Sequence, residues 1–337
     1  MLNLNFYSKC GAYCLSASIY LLISMILCYC LIHTGEVEIF EMISEYNFIV
    51  MLVFFSIGMI FFLADKRIFV FISLLACGIL AYFLKSESKD ALIKPDFSRD
   101  KLIIINIDGQ KVTDSLSLVS TIKSINPDII AINYANLPLF KSLKNHLSDI
   151  FPALLYVEYH SPLLLTNLQR LSESEVDFYD FNRCDAINNV FSHQYVKNDF
   201  KYSRSSLIFD DLNIEIINFD GQQSDRHNRD NVSHDFDYLS EVIKSLDAEK
   251  IIIGNFNTVY WAPKMRVFRK INRLDVSSEI NIAGLSSPGY THLLHSSNLQ
   301  SVCFDALETS DGIIGNLTCI QIRKPRGISG LRLLRYE

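Results

Sequence analysis

Three apolar stretches, residues 13–32, 48–64 and 68–84, fill most of the first quarter of this 337-residue chain, and none holds a charged residue. A charge at the centre of a bilayer costs roughly 2.5–3.5 kcal/mol on insertion scales, so three uninterrupted stretches read as membrane spans. At 1.5 Å per residue the two shorter ones reach about 25 Å and need flanking residues or local thinning to cross a core of roughly 30 Å. No small-residue cleavage pattern follows the first stretch, and two more stretches come after it, so the segment is expected to stay in the membrane. Lys9 and the link Asp65-Lys66-Arg67 are basic, whereas the loop between the first two stretches carries Glu36, Glu38, Glu41 and Glu45 with no Lys or Arg. The positive-inside rule then places the amino terminus and the second link in the cytoplasm and everything after Lys85 outside.

Three regions follow: a membrane region 1–85, a polar linker 86–99 containing Pro95, and a globular region 100–337 long enough for one sizeable core. Isoleucine-rich 101–107 and 128–133 read as strands buried on both faces. Between them Leu116, Val119, Ile122 and Ile125 recur at helical spacing, with Thr113 or Asp114 as cap and Asn126-Pro127 as stop. Residues 205–209 and 214–219 flank Asp210-Asp211-Leu212-Asn213 as a hairpin. Phe236, Leu239, Val242, Ile243 and Leu246 mark one helix face, with Asp235 and Asp237 expected in the first turn. Residues 250–254 and 316–322 are further strands. Interleaved strands and helices predict an α/β sandwich.

Other features say less. Cys10, Cys14, Cys28, Cys30 and Cys77 lie in or beside the spans, leaving Cys184, Cys303 and Cys319 in the globular region, where Cys303 and Cys319 are candidates to meet across neighbouring strands. A net charge of −6 argues against a partner bound by phosphate neutralisation, so no nucleic acid is expected; the basic tail Arg323, Lys324, Arg326, Arg332 and Arg335 reads as a solvated end. His227, His234, Asp235 and Asp237, with Asp220 and Asp225 nearby, are a conceivable cation cluster, although loop charges followed by first-turn acids are commoner. Asn231-Val232-Ser233 and Asn316-Leu317-Thr318 fit the glycosylation sequon without informing function.

The block Ile251-Ile252-Ile253-Gly254-Asn255-Phe256-Asn257-Thr258, followed by Trp261-Ala262-Pro263, resembles the GDFN block and downstream tryptophan of the endonuclease/exonuclease/phosphatase superfamily. Residues 102–107, ending near Asn106, resemble its opening strand; Asn126-Pro127-Asp128-Ile129-Ile130-Ala131-Ile132-Asn133 resembles its PDVVALQE strand; Tyr290-Thr291-His292-Leu293-Leu294 sits where it has an Asp-His pair. The blocks cover roughly residues 100–323 in the family's order. The three spans ahead of the domain are similar in layout to a group of bacterial membrane phosphatases within it. The resemblance implies a four-layered α/β sandwich preceded by three transmembrane helices, and Mg²⁺- or Mn²⁺-assisted hydrolysis of a phosphodiester or pyrophosphate, with a lipid diphosphate as one candidate.

Phosphoryl hydrolysis needs a carboxylate to hold the cation, an acid/base for water, and donors for the developing charge. Position by position, the family's metal-binding glutamate falls on Tyr134, the GDFN aspartate on Asn255, the hairpin-strand histidine on Asp220, the Asp-His aspartate on Thr291, and the terminal Ser-Asp-His on Ser310-Asp311-Gly312. What matches is Asn106, Asn257, His292 and Asp311. An amide orients groups but takes no proton from water. The expectation is therefore a catalytically degenerate binding or scaffolding module in the membrane, facing the extracytoplasmic side, with no resident cofactor and with the bilayer and a membrane protein as partners. Two alternatives stand beside it: an active metal-dependent phosphatase or phosphodiesterase rebuilt from Asp220, Asp311, His292 and Asn257, and a structural subunit of a membrane assembly.

Overall fold

The computed structural model describes residues 4–33, 43–87, 101–155, 162–167, 201–221, 230–277 and 291–323. Linker residues 88–99, the acidic positions Glu36, Glu38 and Glu41, Cys184, Asp225, His227, Tyr290 and the tail beyond Arg323 lie outside them, as do the side chains of His234 and Asp235.

Three apolar helices come first: α1 (Leu4–His33), α2 (Asn47–Leu63) and α3 (Arg67–Glu87). Within α1 the segment Gly11–His33, and α3, are long and apolar enough to cross a bilayer; α2, at 17 residues, is shorter. Its side chains match the other two in character, with Val53, Phe55, Ile60 and Phe62 turned outward. The helices pack along a seam of Cys28, Leu31, Phe54, Ala76 and Leu80, and the Tyr20 hydroxyl meets Ser73 Oγ at 3.0 Å.

The remaining elements build two five-stranded mixed sheets face to face. Strands β1 (Leu102–Asp108), β2 (Ile129–Asn133), β3 (Leu163–Thr166), β9 (Leu299–Thr309) and β10 (Gly312–Ile322) form one, in the order β3-β2-β1-β10-β9; β4 (Lys201–Phe209), β5 (Leu212–Asp220), β6 (Glu249–Asn255), β7 (Leu274–Ser277) and β8 (Thr291–Ser296) form the other, in the order β4-β5-β6-β8-β7. Helices α4 (Ser115–Ile125) and α5 (Leu137–Leu147) pack through Leu118, Ile122, Leu139 and Leu143 on the first sheet; α6 (Asp230–Lys244) and α7 (Pro263–Asn272) pack through Phe236, Leu239, Met265 and Phe268 on the second. Helices therefore cover both outer faces, giving the expected α/β sandwich.

Local signals explain most boundaries. Asp114 caps α4 by accepting from the N–H groups of Leu116 and Ser117, and Asn126 ends it in the left-handed conformation. The hairpin turns on Asp210 and Asp211 alone, both at positive φ, which matches a two-residue turn to the strands' twist. Gly254, at φ +138°, lies so close to Phe219 that a Cβ would sit 1.8 Å from the Phe219 carbonyl oxygen. Two expectations need correction. Leu116 is exposed, because α4 turns Leu118 rather than Leu116 inward; and α6 begins at Asp230, so Asp235 and Asp237 fall beyond its first turn and do not serve its dipole. Cys303 and Cys319 face each other across β9 and β10 and form a disulfide.

The helical and sandwich parts are joined by contact as well as by chain. Ile32 near the end of α1, Phe48 and Met51 near the start of α2, and Phe83 and Leu84 near the end of α3 pack on the cluster holding Val259, Tyr260, Trp261 and Phe268. Trp261 Nε1 donates to the Ser44 carbonyl at 2.8 Å, and Arg266 Nη1 donates to the Ile32 carbonyl. Glu87 receives Arg266 Nε at 3.1 Å and Arg269 Nη1 at 3.4 Å. All three helices thus meet the sandwich at one end, with the turn at Asp65 at the other. Arg269, only 11 % exposed, depends on that carboxylate. Replacing Glu87→Ala leaves a largely buried guanidinium with only the Asp275 carboxylate to oppose its charge and is expected to cost about 3 kcal/mol, read as a lower denaturation midpoint in detergent, with Glu87→Gln recovering part of it.

Candidate functional site

Alternation along the strands places the site. On β1, β2, β5 and β6 every second residue points between the sheets; Ile104, Ile129, Ala131, Ile214, Ile251 and Ile253 fill that space from the amino-terminal side as one apolar cluster. The same faces become polar at the strands' carboxyl ends: Asn106 and Asp108 on β1, Asn133 on β2, Asn218 and Asp220 on β5, and Asn255 on β6. Because β1 runs parallel to β2 and β5 parallel to β6, these ends gather at one edge of the sandwich. Asn218 spans the gap, its Nδ2 donating to the Leu163 carbonyl at 2.9 Å.

Tyr134 occupies the middle of this edge. It follows β2 at φ +55°, a conformation that costs a bulky L-residue roughly 1–2 kcal/mol. Gly109 lets the chain close over it, since a Cβ there would lie 2.8 Å from the carbonyl oxygens of Asn133 and Tyr134. The phenol accepts a hydrogen bond from Asn255 Nδ2 and donates to the Asp220 carboxylate. Burial, with the Asp220 and Asp108 carboxylates nearby, pushes the hydroxyl above its usual pKa, so it stays protonated. Asn255 is fixed in turn: its Oδ1 accepts from the Asn257 N–H at 3.1 Å, and its Nδ2 also reaches Asn257 Oδ1 at 3.1 Å. Asn257, at φ +52°, donates through Nδ2 to the Gly221 carbonyl at 2.7 Å.

The remaining expected site residues go elsewhere. His292 shares its face of β8 with Leu294, toward the helices, where its ring lies near those of Phe256 and Tyr260 and Nε2 bonds the Thr258 carbonyl at 2.7 Å. Thr291 faces the cleft edge instead, opposite Asn255. Asp311 sits half-buried at the β9–β10 turn and accepts from the N–H groups of Thr113 and Asp114 and from the Thr113 hydroxyl; those bonds hold its carboxyl below the usual range. Of the expected residues, Asn106, Asp220, Asn255 and Asn257 gather at the edge, while His292 and Asp311 do not join them. Asp108, Asn133 and Asn218 were not singled out from sequence. The signal available was an Asn or Asp at the alternate positions closing each isoleucine-rich strand.

No protein-family model matches the chain, and no curated protein matches it in sequence. Solved structures do resemble it: an endonuclease/exonuclease/phosphatase family protein from Bacteroides thetaiotaomicron (10 % identity, 65 % of this chain and 94 % of that one, TM-score 0.47), one from Bacteroides vulgatus (8 %, 66 % and 99 %, 0.48), and the human Nocturnin catalytic domain with bound sulfate (14 %, 67 % and 96 %, 0.45). These are likenesses in fold and say nothing of this chain's chemistry.

A hard divalent cation takes oxygen ligands, with carboxylates in the leading role. At this edge Tyr134 is a neutral phenol, Asn255 Oδ1 is engaged by a backbone N–H, Asp220 accepts from Tyr134, and Asp108 lies 3.7 Å from Lys111 Nζ. Among the described residues no three His, Cys, Asp or Glu side chains cluster to hold a metal. The donor set among the described residues does not fit Mg²⁺ or Mn²⁺.

Buried His292 has its pKa lowered to about 4 by desolvation, against the opposing bond to Thr258. The unfolded chain therefore binds a proton between about pH 6.5 and 4 that the native protein refuses, and stability falls as pH drops through that window. The loss attributable to His292 is on the order of 3 kcal/mol, and His292→Gln is expected to flatten that part of the stability–pH curve measured by urea unfolding.

Proposed function

We propose that this protein is a membrane-anchored module of the endonuclease/exonuclease/phosphatase-like type, with three spans and an extracytoplasmic sandwich, whose cleft binds rather than hydrolyses. The observation that carries the reading is Tyr134, whose hydroxyl bridges Asp220 and Asn255 where the sequence resemblance puts a metal-binding glutamate. A neutral phenol held by two partners supplies neither charge for a cation nor a base for water.

Three observations support the membrane part. Most described outward side chains of the three helices are apolar, among them Leu22 and Ile26 on α1, Ile60 and Phe62 on α2 and Phe71 and Leu75 on α3, which suits a lipid environment. The helices meet the sandwich at a common end, as three successive spans would require. The Cys303–Cys319 disulfide suits an oxidising compartment and agrees with the charge asymmetry of the loops. The bilayer is then the first partner, and a membrane protein that reads the cleft or the helix bundle is the second. With Trp261 anchored to Ser44 only four residues after Asn257, the cleft-forming loop is tied to the helix ends.

The test is hydrolysis by the purified full-length protein in detergent, with Mg²⁺ or Mn²⁺, of bis(p-nitrophenyl) phosphate and a polyprenyl diphosphate. No phosphate or nitrophenol release above the protein-free blank is expected. Turnover that Asp220→Asn abolishes would overturn the binding-only reading.

A further inference from the structure

Behind Tyr134 lies an inner row of amides, one step deeper between the sheets. Asn106 and Asn133 sit diagonally on β1 and β2, since Asp108 is the residue opposite Asn133, and Asn218 reaches across from β5. All three are buried, Asn133 to 1 % exposure. Among the described residues Asn106 Oδ1, Asn218 Oδ1 and both amide atoms of Asn133 have no hydrogen-bond partner. Unmet polar atoms so deep in a core are rare and costly, and a row of them on facing strands is a poor way to hold two sheets together. Isoleucine fills the equivalent positions one step back, at Ile104 and Ile216.

We infer that this inner row is a binding subsite for an uncharged, multiply hydroxylated group such as a sugar ring or a polyol; the inference rests on the binding reading of the cleft and names its ligand class. Carboxamides offer a donor and an acceptor side by side, which matches a hydroxyl that both gives and takes a hydrogen bond. An anion entering this cleft would meet the Asp108 and Asp220 carboxylates, which oppose it. A cation fits no better, because Asp220 is already bonded by Tyr134, Asp108 lies near Lys111, and the inner row is neutral and desolvated.

The experiment follows the melting temperature and tryptophan fluorescence of the full-length protein in detergent during titration with myo-inositol and methyl α-glucoside, with inorganic phosphate as the anionic control. The expected result is saturable binding of at least one hydroxylated probe and none of phosphate. Asn133→Leu should weaken that binding at least about tenfold while raising the melting temperature of the ligand-free protein, because an unmet amide is replaced by an apolar group of similar size. Asn106→Leu is the second variant, should the first not fold. If neither probe binds, or if both leucine variants melt lower than the parent, the amides are structural and the inference fails. Hydroxylated probes that bind a protein which also turns over phosphodiesters would leave the subsite standing and remove the binding-only reading instead.

Discussion

The hydroxyl of Tyr134, held between the Asp220 carboxylate and the Asn255 amide, is the contact on which the chemistry of this protein turns. It joins the two sheets at the edge where their polar residues gather, and it is bought with a left-handed backbone at a bulky residue. A hydrogen bond to a charged acceptor contributes about 1.5–3 kcal/mol, enough to offset that strain. Seating a cation there means breaking this bond, turning Asn255 away from the Asn257 N–H, and stripping water from an ion that dehydrates reluctantly. Among the described residues, the groups left to offset those losses are the Asp108 and Asp220 carboxylates, which already have partners.

Around that contact the architecture is economical. The inward positions of the parallel strands are apolar in the core and turn to Asn or Asp at the carboxyl end, over the last two on β1 and β5 and the last one on β2 and β6, so the same alternation that builds the core also ends it at a cleft. The outer face of the second sheet carries α7 and the loop after β6, and this loop has two obligations: Asn257 at its start orients Asn255, and Trp261 near its end binds the Ser44 carbonyl in the helical region. Displacement of the helix ends therefore has a short covalent route to the cleft. Glu87, shared by Arg266 and Arg269, is a second tie between the helix ends and α7.

Much of this was legible in the sequence, for physical reasons that differ by residue. Buried parallel strands are near-continuous apolar runs, so β1, β2 and β6 stood out, and the Asp-Asp turn betrayed the β4–β5 hairpin. The helices α5 and α7 were missed: α7 carries four basic residues, Lys264, Arg266, Arg269 and Lys270, and only Met265 and Phe268, with Pro263, are buried. The place of Tyr134 was legible only through family resemblance, since nothing local marks a tyrosine after a strand as the closure of a site. His292 illustrates the opposite error. One-residue alternation decides whether a side chain enters a cleft or a core, and the face of β8 is set by Leu293 and Leu294, whose burial on opposite sides a short apolar run does not reveal.

The most direct measurement is a Mn²⁺ titration of the full-length protein, followed by the loss of the free-ion electron paramagnetic resonance signal. With the Tyr134 hydroxyl set between Asp220 and Asn255, the signal is expected to track total Mn²⁺ with no saturable site tighter than about millimolar, and Tyr134→Glu is expected to introduce one. A one-to-one site of micromolar affinity in the unaltered protein, lost on Asp220→Asn, would contradict the account.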